Sequence, residues 1–493
     1  MTHRVAIVGA GMGGLAAAID LARQGVAVTV CDKLPTVGGK MRRVAVAGTE
    51  VDGGPTVFTM RWIFEQLFSD AGASLGERLE LTPLDVLARH AWRQGGRLDL
   101  YADVERSALA IAEFAGQREA DGYRRFCSDS RRIYQTLADT FMAADKPSPF
   151  GLVRRVGLSR IGQLWATSPW RRLWPALADY FSDPRLRQLF ARYATYCGSS
   201  PLEAPATLML VAHVEQEGVW RVRGGMHEVA LALAQLASSL GVEFRLGEAV
   251  EAIEIRGRRA RGLKLAGGGN VEADAVLFNG DCAALADGRL GNGARSAVAV
   301  VPRAARSLSA VTWCLRAATA GFPLHHHNVF FAEDYPREFR AIFAERRITE
   351  APTVYLHAQD RAAGETPAGA ERMLMLVNAP PEGDRGGSGE PALARAWERS
   401  LALLHDCGLS IAQDPATVRT GPQDFEQLFP ATGGALYGRA THGGLGTFAR
   451  PGSRSRVGRL YLAGGSVHPG AGIPMATLSG RLAARCIVQD LGL

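Results

Sequence analysis

The chain opens with an apolar, β-branched run, Val5-Ala6-Ile7-Val8, and passes straight into Gly9-Ala10-Gly11-Met12-Gly13-Gly14. Leu15-Ala16-Ala17-Ala18-Ile19 has the small residues of a helix packed close to a sheet, Gly25 stops it, and Val28-Thr29-Val30-Cys31 runs to Asp32. The pattern predicts strand, helix, strand. Between 61 and 145, Trp62, Phe64, Leu67 and Phe68 stand at helical spacing, and Leu98, Leu100 and Tyr101 belong to a strand pair; core packing accounts for them. Val229 to Leu240 predicts a helix. Short strands follow from Val250, turning at Arg256-Gly257-Arg258-Arg259 and Ala266 to Asn270, and Ala275-Val276-Leu277-Phe278 reads as a buried strand ending in Asn279-Gly280-Asp281. Runs at Leu308–Leu315, Val329–Phe331, Thr353–His357 and Met373–Asn378 predict a mainly β region. Last, Leu460-Tyr461-Leu462 leads through Gly464-Gly465 and Ser466-Val467-His468-Pro469-Gly470-Ala471-Gly472 into a small-residue helix containing Ala476, Ser479, Gly480, Ala483 and Ala484.

The first unit carries chemistry because all its parts agree. Gly9 permits a tight turn, Gly11 lets the backbone approach a pyrophosphate with Met12 and Gly13 opening the helix, and Gly14 lets helix and strand touch. The helix N-terminus offers unpaired N–H groups to phosphates, and Asp32 stands where an acid accepts ribose hydroxyls. A dinucleotide binds here. Gly38-Gly39-Lys40-Met41 and Gly53-Gly54-Pro55-Thr56 again present bare backbone, suited to a phosphate, a ribityl chain or an ordinary turn. The C-terminal glycines, with Ile473 and Met475 opening the helix, aim a second helix N-terminus at one place. One pyrophosphate needs only one such helix; a flavin adds a ribityl chain and a ring to be cradled. No second G-x-G-x-x-G is present, so no separate nicotinamide site is indicated.

At 493 residues, 47% hydrophobic and 21% charged, the chain is an ordinary globular protein of at least two domains. Seven scattered cysteines without a C-x-x-C pair fit a reducing compartment and give no zinc site or disulfide framework. No secretory signal is evident, and no apolar run is long enough to span a membrane. The net charge of +7 lacks any nucleic-acid recognition motif beside it. It is concentrated instead between Lys146 and Leu177. There Lys146, Arg154, Arg155, Arg160, Arg171 and Arg172 interleave with Phe150, Leu152, Val153, Trp165, Trp170 and Trp174, with no acid before Asp179. Such a segment suits a membrane interface, or a lid lining an internal pocket. His325-His326-His327 reads as a loop, since three adjacent histidines cannot face one ion from regular structure, and no metal site is indicated. His213 and Glu215, two apart, share no helix face.

The order of motifs resembles the bacterial-type carotenoid desaturases related to phytoene desaturase, within the FAD-dependent amine-oxidase superfamily. Gly-Pro-Thr leans toward that branch, and so does Ser466, where amine-oxidase relatives carry an acid. Many relatives carry Glu where this chain has Asp32. The Tyr196-Cys197-Gly198-Ser199-Ser200-Pro201 and Glu217-Gly218-Val219-Trp220-Arg221-Val222-Arg223-Gly224-Gly225-Met226 runs look most like the 1-hydroxycarotenoid 3,4-desaturase branch. The resemblance implies an α/β fold: a Rossmann-like FAD-binding domain made from 1–70, 220–290 and 425–493, with a helical substrate or membrane-facing region (71–219) and a β-rich substrate domain (291–424) inserted. It implies FAD held by Gly9, Gly11, Met12, Gly13, Gly14, Asp32, Lys33, Gly39, Lys40, Met41, Pro55, Thr56, Val250 (backbone to the adenine edge), Asn279, Gly464, Gly465, Gly472, Ile473 and Met475. Arg61 is equally a phosphate contact or a surface arginine. The implied activity is desaturation of an acyclic carotenoid such as 1-hydroxyneurosporene, by a protein peripheral to the inner, photosynthetic membrane on the cytoplasmic side. Phytoene desaturation, carotenoid isomerisation or saturation, and prenyl carriage without chemistry are the competing readings. No base is marked; His213, His442 and His468 are candidates, His468 first because it lies inside the flavin signature. The electron acceptor, quinone or oxygen, is not legible.

Overall fold

A computed structural model describes residues 3–157, 167, 169–361, 367–412 and 416–493. Its first layer is a five-stranded, all-parallel sheet in the order Leu460–Leu462, Ala275–Phe278, Arg4–Val8, Ala27–Asp32, Glu243–Leu246. The strands are drawn from three distant parts of the chain. Both faces are covered, so the strands read as continuous apolar runs. The Met12–Ala22 helix is buried along nearly its whole length, because it is wedged between that sheet and the C-terminal helix, Ile473–Leu491. Only glycine allows this approach. A Cβ on Gly14 would stand 2.2 Å from the Gly9 carbonyl oxygen, and one on Gly480 2.0 Å from that of Gly13. A three-stranded meander, Val250–Arg256, Arg259–Leu265 and Asn270–Glu272, packs beside the sheet.

The second layer is a seven-stranded mixed sheet, ordered Val418–Thr420, Ser309–Ala317, Glu371–Ala379, Val354–Ala358, His327–Phe331, Val86–Trp92, Arg97–Tyr101. Its last two strands are the strand pair read between 61 and 145, inside a region otherwise read as helical. They join by one parallel pairing, Val86–Trp92 on His327–Phe331, a long-range contact that local periodicity cannot report. Strand alternation gives this sheet two uses. Val311, Trp313, Met373, Met375 and Val377 face one core with Ala396, Leu403 and Leu404 of the Gly389–Asp406 helix. Their neighbours Thr312, Leu374, Leu376 and Asn378 turn the other way, into a cavity.

Helices Gln117–Leu137, Pro184–Ala191 and Leu210–Gln216 close the far side of that cavity around an aromatic core of Phe126, Phe181 and Phe190. The basic, aromatic stretch divides. Pro149–Val156 is a helix capped by Ser148, whereas Leu173 and Leu177 are wholly buried in the core and Arg171 and Arg172 pair with Asp179 and Glu203. Arg160 and Trp165 lie outside the described residues. Among the described residues no helix is long and apolar enough to cross a membrane.

Candidate active site

A cavity of about 890 Å³ runs between the two sheets and under the helices. At one end it meets the first β-α-β unit. Gly9, at φ +102°, makes the turn out of the first strand, and its N–H is held by the Cys31 carbonyl at 2.8 Å. The Asp32 carboxylate accepts from the backbone N–H groups of Ala10 (2.7 Å) and Leu34 (2.9 Å), which fixes it at the end of its strand. Two helices begin at this wall, at Met12 and at Ile473. Gly11 and Gly472 cap them without a side-chain hydrogen bond, so first-turn N–H groups stay available on both. Asn279 ties the parts together: its Nδ2 donates to the Gly9 carbonyl at 3.1 Å, and its Oδ1 lies where a Cβ on Gly13 would sit within 2.6 Å.

The structure brings to this wall Gly9, Gly11, Met12, Gly13, Asp32, Lys33, Gly39, Lys40, Met41, Pro55, Thr56, Val250, Asn279, Gly464, Gly465, Gly472, Ile473 and Met475. Gly14 stands behind it, giving the close helix-to-strand contact. Arg61 is not in the wall; it pairs with Glu65 at 2.8 Å and lies over the Trp220 ring. Nor are the three histidines. His468 is fully buried, with Nε2 on the Phe141 carbonyl at 3.0 Å. The His213 ring packs on Tyr134 and faces Glu217 at 3.5 Å, and His442 Nε2 accepts from the Ser200 N–H at 3.0 Å. Each has a structural partner instead. The His325–His327 run likewise scatters: His325 faces Asp99, His326 Nε2 faces His357 Nε2 at 2.9 Å, and His327 Nδ1 meets the Tyr355 hydroxyl at 2.8 Å.

Two cations flank the glycine loops, Arg450 buried and Lys40 half-buried. Lys40 donates to the Leu436 carbonyl, and burial lowers its pKa, with Asp281 opposing and Arg450 adding to the effect. Arg450, unmarked in the sequence, donates to the carbonyls of Gly465 and Arg439, both at 2.8 Å, and so braces the loop after Leu462. Further along, the wall becomes apolar: Leu208, Leu210, Val211, Val214, Leu374 and Leu376. One polar island interrupts it. Glu215, 6% exposed, accepts from the Tyr193 hydroxyl at 2.8 Å and from that of Tyr196, with Arg192 beside them. In the sequence Tyr196 stands only in a branch-specific run and Glu215 only beside His213; nothing there joins these four, because what brings them together is a helix crossing rather than a spacing.

Residues 12–488 match the flavin-containing amine oxidoreductase family. The chain belongs to that family. Over 99% of its length it is 53% identical to the hydroxyneurosporene desaturase of Rubrivivax gelatinosus, covering 94% of that protein. It is 31% identical to the 1-hydroxycarotenoid 3,4-desaturase of a Flavobacterium species, covering 98% of each chain. A redesigned putrescine oxidase shares the fold, with a TM-score of 0.61 at 15% identity over 100% of this chain and 99% of that one.

Proposed function

We propose that the protein is an FAD-dependent carotenoid desaturase that introduces the 3,4 double bond into an acyclic 1-hydroxycarotenoid such as 1-hydroxyneurosporene. One observation carries the reading: a single cavity joins a dinucleotide cradle to a long apolar chamber. The residues present fit FAD. Gly11, Met12 and Gly13 offer N–H groups to a pyrophosphate, the Ile473 helix offers a second set, and Asp32 and Val250 line the end suited to an adenosine. When bound, FAD supplies the acceptor for the two electrons that a desaturation removes.

The remaining work falls to the chain. Leu208, Leu210, Val211 and Val214 on one side and Leu374 and Leu376 on the other hold a polyene straight and exclude water, which supports reaction by positioning. Pro55 and Thr56 line the cavity on the cradle's side. Cationic charge developing beside a polyene spreads along it, so water or a weak base suffices to take the departing proton. Glu215 already accepts two tyrosine hydroxyls. Quinone or oxygen then serves as the terminal oxidant.

The substrate enters from a lipid phase. The cavity wall reaches the surface at Leu445, which is 69% exposed; exposed Trp170 lies against the adjacent Gly444, and exposed Phe150 follows the cavity-lining Pro149. Pro149, Leu152 and Val153 of the Pro149–Val156 helix also line the cavity, while its last turn carries Arg154 and Arg155. Apolar tips with cations behind them suit anionic lipid headgroups, and thus a peripheral seat on the inner membrane.

The test is to purify the protein with liposomes, record its visible spectrum, and supply 1-hydroxyneurosporene and phytoene separately. A flavin spectrum with a red-shifted product from the hydroxylated polyene alone is the expected result. Conversion of phytoene would move the protein to an earlier step, and absence of both flavin and product would leave an isoprenoid carrier.

A further inference from the structure

A chamber for a hydrocarbon has no use for buried polar groups unless they fold the protein or meet something polar on the ligand. Most of the polar groups in this chamber are accounted for. Glu215 is satisfied by Tyr193 and Tyr196, Tyr355 by Thr56 and His327, and Asn378 by Glu338 at 2.8 Å. Two are not. Arg192 uses Nη2 on the Tyr196 hydroxyl at 3.4 Å, but its Nε is buried without a partner. Tyr335, 3% exposed, has a buried hydroxyl with no partner. Both residues line the cavity, and Arg192 lies within electrostatic reach of Tyr335. Leaving such donors unpaired in an apolar site is costly, and a ligand that pairs them is favoured over one that cannot.

We infer that Arg192 and Tyr335 form a hydroxyl anchor: Arg192 Nε donates to the tertiary hydroxyl oxygen of the polyene, and the Tyr335 hydroxyl completes the pair. The inference rests on the reaction proposed above and adds what selects its substrate. Its position suits that reaction. Tyr355 lines the same cavity as Arg192 and Tyr335, and its hydroxyl touches Thr56 in the Gly-Pro-Thr loop. A hydroxyl held there keeps the 3,4 bond, which begins two bonds from the hydroxyl-bearing carbon, beside that loop. Glu215 has a supporting part. Through Tyr196 it supplies the countercharge that keeps Arg192 in place without occupying its Nε.

The experiment uses the flavin-loaded protein in mixed micelles. Affinities for 1-hydroxyneurosporene and for the parent hydrocarbon lacking the hydroxyl are read from the shift of the polyene absorption, with product analysed in parallel. The ratio of the two affinities should favour the hydroxylated polyene and fall about ten-fold in Arg192→Gln and in Tyr335→Phe. Tyr335→Phe guards against a folding artefact, because the hydroxyl it removes bonds nothing among the described residues. An unchanged ratio, or a parallel loss for both polyenes, overturns the anchor even if 3,4-desaturated product still forms. A ratio that collapses in the variants when no such product forms in the unaltered protein upholds the anchor and removes the reaction reading.

Discussion

Thr56 and Tyr355, 299 residues apart, share a hydrogen bond of 2.7 Å between their hydroxyl oxygens. It ties the Gly-Pro-Thr loop of the nucleotide layer to the middle of the seven-stranded sheet, across the cavity. The Tyr355 hydroxyl also meets His327 Nδ1 at 2.8 Å, so one side chain holds loop and sheet at a fixed separation.

Tyr355→Phe tests that tie. It strands the Thr56 hydroxyl and His327 Nδ1 in a buried place while preserving the ring's packing. We expect a stability loss of about 1–3 kcal/mol, seen in denaturant unfolding, and a lower turnover at unchanged flavin content. Full turnover would show that the loop is held by other contacts.

Gly13→Ala tests the cradle. The added methyl would meet Asn279 Oδ1 at 2.6 Å and the backbone of Ala476 and Gly464 at 2.9 Å, two of them backbone atoms that cannot swing aside. Forcing these elements apart should cost about 1–3 kcal/mol and open the turn at the helix N-terminus. The ratio of flavin to protein absorbance after purification should fall well below that of the unaltered protein. Equal loading would mean that the contact between the two helices has no part in holding the cofactor.

Acid should destabilise the fold through its buried histidines. Burial pulls His326, His442 and His468 down to about 4 from the ordinary 6.5. Between those values the unfolded chain binds protons that the folded one refuses, so stability falls as pH drops from 6.5 to 4 and the effect levels off below. Each histidine contributes on the order of 3 kcal/mol across that window. Thermal melts at half-unit pH steps should show the decline, and His442→Gln should make it shallower. A melting temperature flat from pH 7 to 4 would contradict the assignment.

What could be read from the chain, and what could not, divides along a physical line. Gly9, Gly11, Gly464 and Gly472 were legible because their turns and close approaches admit no side chain: Gly9, Gly464 and Gly472 stand at φ +102°, +106° and +105°, and a Cβ on Gly11 would meet Asn279 Nδ2 at 2.9 Å. The parallel sheet followed from β-branched runs that bury both faces. Arg192 was silent and Glu215 was weighed only against His213: their meaning comes from a crossing of two helices and from Tyr335, far along the chain. The same holds for Val86–Trp92, whose place in the larger sheet depends on pairing with His327–Phe331. Arg61 and His468 show the converse. Their neighbours in sequence belong to the cradle, but the helix start at Arg61 and the buried turn at His468 point their side chains elsewhere.

The cavity mouth yields the last prediction. Phe150 is 81% exposed and Leu445 69%, an arrangement that costs free energy in water and recovers it in the acyl boundary of a lipid surface. Each side chain placed in lipid stabilises the bound state by about 1.5–3 kcal/mol, so Phe150→Ser with Leu445→Ser should weaken binding to vesicles by at least ten-fold. Binding of the unaltered protein should be stronger to vesicles containing phosphatidylglycerol than to neutral ones, and should weaken with salt, because Arg154 and Arg155 sit one helical turn behind Phe150. Co-flotation with liposomes measures both effects. The double variant should still turn over polyene delivered in detergent, since neither side chain touches the cradle; a loss there as well would mean that the rim shapes the chamber rather than docking it. Flotation unchanged by the two serines would place the lipid contact on another face.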